Sequence, residues 1–158
     1  MRRVVIVTTK ALIVILFAAI VFCQVVFVPV NATSFALAAP EFAALEVPGI
    51  IMVDALLLCG QVVLICVWAL LSRVAREDIF DATALLWVDV IITSILAAGV
   101  LVIAGLVLLS LASAGSPFLA LMGVIAVICA AGLALVVVVM RGLLKQATQL
   151  RQDLSEVV

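Results

Sequence analysis

Asp54, Gln61, Asp89, Thr93 and Gln24 are the residues of this chain whose types could do chemistry inside an apolar environment. Each stands within a long oily run. A charged aspartate at a bilayer centre costs roughly 2.5–3.5 kcal/mol on insertion scales, and less toward the edges. Asp54 falls near one end of its run and Asp89 near the opposite end of the next, so the two cannot form an acid/base dyad. Asp54, Gln61 and Trp68 repeat every seven residues and share a helix face. Asp89 and Thr93 stand one helical turn apart, and Gln24 and Asn31 are again seven apart. These spacings read first as seams of interhelical hydrogen bonds, which average only about 0.6 kcal/mol each in membranes. The alternative is a proton or cation path, with Asp54, Gln61 and Asp89 serving a small oligomeric transporter or channel subunit.

Other chemistries lack their parts. Histidine and tyrosine are absent, which removes the commonest general base and metal ligand. Cys23, Cys59, Cys66 and Cys129 all lie in apolar runs without a Cys-x-x-Cys pair, as small buried hydrophobes do. No phosphate-cradling glycine loop and no nucleophile elbow occurs. The sequence therefore reads as non-enzymatic, with no catalytic residue, no cofactor, no metal and no direct nucleic-acid binding.

The elements that must position these groups follow from composition. The chain has 158 residues, 70% hydrophobic and only 11% charged, with mean hydropathy +1.60. A soluble domain has about 45–50% apolar and about 25% charged residues. A span needs about 20 apolar residues. The pattern predicts an all-α membrane protein of one four-helix domain over residues 1–158, with spans at about 11–30, 50–71, 82–110 and 118–140. A cytoplasmic amphipathic tail follows at 141–158. The basic start and apolar run before Ala36-Leu37-Ala38 resemble a signal peptide, but the run exceeds the roughly 7–15 residues of a signal core, so an uncleaved first span is expected.

With four spans, Arg2, Arg3, Lys10, Arg73, Arg76, Arg141, Lys145 and Arg151 all fall on one side. The positive-inside rule makes that side cytoplasmic, with both termini inside a bacterial plasma membrane. The charged turn from Ser72 to Asp81 then sits there too. Within it Asp81 is a plausible N-cap for the third span. In the tail, Leu143, Ala147, Leu150, Leu154 and Val157 follow a four-three spacing, a narrow apolar seam that suits a partner or the inner leaflet. Arg73, Arg76, Glu77, Asp78, Asp81, Leu143, Leu150 and Leu154 make up the candidate interaction surface. Besides the lipid bilayer, a cytosolic protein and a second copy of the chain are candidate partners. The alanines at 126, 130 and 134, with Gly123, fit either internal packing or a homodimer face.

Three segments also resemble a known family. They are Pro40 to Pro48, with its acidic and small residues; Arg76-Glu77-Asp78-Ile79-Phe80-Asp81 running into the third span; and Leu143-Leu144-Lys145-Gln146-Ala147 through Asp153-Leu154. Together they are similar to the YoaS-like family of small bacterial membrane proteins, a domain of unknown function (2975). Asp81 stands where that family usually has serine, and either residue can cap a helix. The resemblance implies four helices and no established activity. It also implies, by gene association, a membrane partner for a small cytosolic helix-turn-helix transcriptional regulator.

Overall fold

The computed structural model of the chain describes residues 2–38, 44–74, 82–113 and 117–156. Every element in it is helical: α1 (Arg2–Phe22), a π-helical turn (Cys23–Phe27), α2 (Val28–Ala38), α3 (Glu46–Val74), α4 (Ala82–Leu111) and α5 (Pro117–Glu156). Four stretches are long and apolar enough to cross a membrane: Val4–Ser34, Glu46–Arg73, Leu85–Leu111 and Pro117–Gln146. This is a multi-pass membrane protein.

The first helix is longer than the expected span. It begins at Arg2 rather than near residue 11 and runs through Ala38 rather than stopping near 30. Its polar end stays helical because the side chains bond back along the helix. Asn31 donates to the Phe27 carbonyl at 2.8 Å, Thr33 to that of Pro29 at 2.6 Å and Ser34 to that of Val30 at 2.7 Å. Pro29 lies inside it. A proline has no N–H and clashes with the carbonyl four residues back. The π turn directly upstream absorbs this misfit, with the Val28 N–H reaching the Cys23 carbonyl five residues earlier.

α3 starts at Glu46 and takes Pro48 into its first turn, where an amide hydrogen would have no helical acceptor anyway. α4 ends at Leu111. The Ala112 N–H bonds the Leu108 carbonyl at 3.1 Å, and Ser113 takes a left-handed φ of 53°, which turns the chain away from the helix. Pro117 opens α5, its missing N–H costing nothing at that position. α5 then runs for 40 residues, about 60 Å at 1.5 Å per residue, twice the hydrocarbon thickness. The expected tail is helical, and it continues the fourth span without a break.

Each span packs on its neighbours in the chain: α1 and α2 on α3, α3 on α4, and α4 on α5. The first and fourth spans share no substantial contact among the described residues, so they are the two edges of the array. Along α5 the half-covered and buried positions between Gly123 and Leu144 are Gly123, Val127, Ala130, Ala134, Val137, Arg141 and Leu144, with exposed residues between them. That four-three rhythm is the seam of a left-handed helix pair. It faces α4, where Gly123 meets Leu106, Ala130 lies opposite Gly99 and Arg141 reaches Asp89. Gly123 and Ala130 thus pack internally, with Ala134 buried on the same seam. Ala126 lies off that seam and is exposed.

Candidate functional site

Polar side chains gather on two seams, one near mid-span and one toward the end of the fold that carries Asp89. On the seam between the first and second spans, the Gln61 amide donates to the Gln24 side-chain oxygen at 2.6 Å. Gln61 is the one polar residue buried among the described ones, at 7% exposure. The Gln24 amide in turn points at the backbone carbonyl of Asp54, at a long 3.4 Å. Gln24 stands in the π turn, so the irregular backbone of the first span sits where these interhelical polar contacts are made. The Asp54 carboxylate oxygen Oδ1 is buried with no hydrogen-bond partner.

The second seam joins α4 and α5. Arg141 Nη2 donates to Asp89 Oδ2 at 2.8 Å. Its Nε lies 2.6 Å from Oδ1, close enough for strong charge attraction but off the line that a hydrogen bond needs. Both side chains are a little under half exposed. A fork of this kind suits a guanidinium, whose N–H groups match a carboxylate in shape. The sequence alone groups Asp89 with Thr93 on its own helix and reads Arg141 as the start of the tail. The pair was hidden by a separation of 52 residues, although antiparallel third and fourth spans place both near the same membrane end.

Two of the expected interhelical contacts are made within a helix instead. The Thr93 hydroxyl donates to the Asp89 carbonyl of its own helix at 2.5 Å. The Asn31 amide likewise donates within its own helix. As the sequence spacing implies, Asp89 stands apart from Asp54 and Gln61 within one chain, its partner on α5 and theirs on the first span.

At the end of the fold that carries Asp89 and Arg141, the Lys10 ammonium stands 5.0 Å from the centre of the Trp68 ring, within cation–π range. Arg73 is in the last turn of α3 at the same end. Leu143 is exposed. Arg76, Glu77, Asp78 and Asp81 lie outside the described residues, as do the side chains of Leu150 and Leu154. The cysteines are all free thiols, Cys66 buried and Cys129 exposed. No group of three or more metal-binding side chains gathers among the described residues.

A protein family described as "Protein of unknown function (DUF2975)" matches residues 31–158, which takes in the second, third and fourth spans and the tail. Comparison with curated proteins and with solved structures returned no match.

Proposed function

The chain belongs to the DUF2975 family, and from that premise we propose that it is a non-catalytic membrane protein whose fourth span presents a helical tail to a cytosolic partner. The partner is a small helix-turn-helix regulator, and the basic end faces the cytoplasm of a bacterium, by the positive-inside rule.

One observation carries the reading: α5 is a single helix from Pro117 to Glu156, along which the register of apolar positions in the sequence shifts by one residue. The seam against α4 runs through Ala134, Val137, Arg141 and Leu144. Continued in register it meets Thr148, Arg151 and Ser155, which are polar. The apolar stripe of the tail, Leu143, Ala147, Leu150 and Leu154, stands one residue earlier at every step. One residue is about 100° around a helix. By register, therefore, the stripe is not the face that α4 covers. A partner groove reads one face of a helix in this way. Arg141, clasped by Asp89, holds the helix at the point where seam and stripe diverge.

The test is recruitment. The full-length protein is co-expressed with a small helix-turn-helix regulator of the same genome, and the membrane-bound fraction of the regulator is measured. Wild type should draw the regulator to membranes, and Leu150→Ser with Leu154→Ser should release it. A regulator that stays soluble beside the wild type, or stays bound to the double variant, refutes the proposal. The oligomeric transporter alternative needs neighbouring copies to bring its three residues together, since within one chain they are split between two seams.

A further inference from the structure

Between the first span and α3, on the side of Trp68 and Lys10, lies a groove of about 330 Å³. Val14, Phe17 and Ala18 form one wall, Leu64, Ile65 and Trp68 the other, and Ile13 is buried within it. No polar atom lines it. Val14 and Ile65 are about half exposed, so the groove opens sideways to the hydrocarbon. At its end, Trp68 is both a wall of the groove and the ring beneath the Lys10 ammonium. An apolar slot thus leads directly to a fixed positive charge.

Lys10 and Phe17 are seven apart in helical register and share a face, so the ammonium stands in line with the groove wall. In the sequence no acid precedes Glu41, so the first span brings no negative side chain near Lys10. Basic sites between spans bind the headgroups of anionic lipids, and each Lys or Arg near the surface contributes about 1 kcal/mol to such attraction. A tryptophan at that depth suits the boundary between acyl chain and headgroup.

We propose that this groove is a binding site for an anionic phospholipid of the leaflet at the basic end. An acyl chain lies between Phe17 and Ile65, and the phosphate sits on Lys10. The site is separate from the tail and does not depend on what the tail binds. It gives the first span a ligand at the end where its amide clasp to α3, Gln24 with Gln61, does not reach.

The experiment uses full-length protein carrying Trp87→Phe, which leaves Trp68 as the sole indole. It is reconstituted in vesicles containing either phosphatidylglycerol or phosphatidylcholine with brominated acyl chains, which quench a tryptophan they touch. Brominated phosphatidylglycerol should quench at about five-fold lower mole fraction than phosphatidylcholine, the ratio that one lysine supplies. Lys10→Gln should abolish that preference while quenching itself persists, and Lys10→Arg should restore it. Ala18→Phe, which fills the groove and leaves Lys10 in place, should weaken quenching by both lipids. Equal quenching by the two lipids in the Lys10 protein means ordinary annular lipid and overturns the proposal. So does a preference that survives Lys10→Gln. Weak quenching by either lipid, with cysteines at 14 and 65 crosslinking two chains, would assign the groove to a second copy instead. Native mass spectrometry of the phospholipid retained by each variant checks the result independently of fluorescence.

Discussion

Asp89 and Arg141, 52 residues apart, hold the third and fourth spans together at one end through a 2.8 Å hydrogen bond and a second close charge contact. The pair sits at the register where α5 begins to leave the shelter of α4. It fixes the base of the projecting helix, and a conservative change on either side unbalances a charge near the membrane.

Asp89→Asn and Arg141→Gln should each lower stability in detergent by about 1 kcal/mol, the upper range for partly exposed ion pairs. The exchanged pair, Asp89→Arg with Arg141→Asp, should recover part of that loss, because the two sites couple directly. Thermal unfolding followed by circular dichroism measures it. An exchanged variant no better than the single ones would show that the pair contributes no attraction.

The amide clasp predicts a different pattern. Gln61→Leu leaves the Gln24 side chain facing hydrocarbon, and Gln24→Leu does the same to the more deeply buried Gln61. Each should cost about 1 kcal/mol, with the double leucine variant nearer to wild type than either single one. Strict additivity in the same unfolding assay would mean that the 2.6 Å contact carries no coupling.

Gly123 and Gly132 lie on one helix and should respond oppositely to alanine. A Cβ at 123 would come within 2.6 Å of a Leu106 methyl carbon, whereas one at 132 meets nothing within 4 Å. Gly123→Ala should destabilise by about 1–3 kcal/mol through overpacking, less if the Leu106 tip swings aside. Gly132→Ala should be neutral or mildly stabilising. Equal losses at both positions would contradict the seam as described.

Orientation is open to cysteine labelling in a background where Cys23, Cys59, Cys66 and Cys129 are replaced. Ala44→Cys should react with an impermeant reagent from outside, and Glu77→Cys only from the cytoplasmic side. The opposite reactivity would invert the topology that the basic residues imply.

The number of spans and the collection of basic residues at one end were legible because both depend on composition along the chain. Helix ends were less so. Asn31, Thr33 and Ser34 read as loop residues, and only the back-bonds to carbonyls four residues earlier explain why the helix goes on. Pro29 lies within the expected first span, but the π turn that accommodates it has no sequence signature. Ala126, Ala130 and Ala134 suggested a four-residue stripe, but the covered face follows Gly123, Val127, Ala130 and Ala134, a rhythm masked by the abundance of alanine. The link between Gln24 and Gln61 was anticipated only as a class of contact. The partner of Asp89 was not anticipated at all, because spacing within a helix carries no information about its neighbour.

Each polar clasp closes inside one consecutive pair of spans: Gln24 with Gln61 in the first pair, Asp89 with Arg141 in the second. During synthesis the first two helices can therefore satisfy their buried amides before the third has left the ribosome. The second pair then brings its own counter-charge when it enters the bilayer. The protein can be inserted as two helical hairpins in succession, each bringing its own polar clasp, with the α3–α4 contact left to join them by shape.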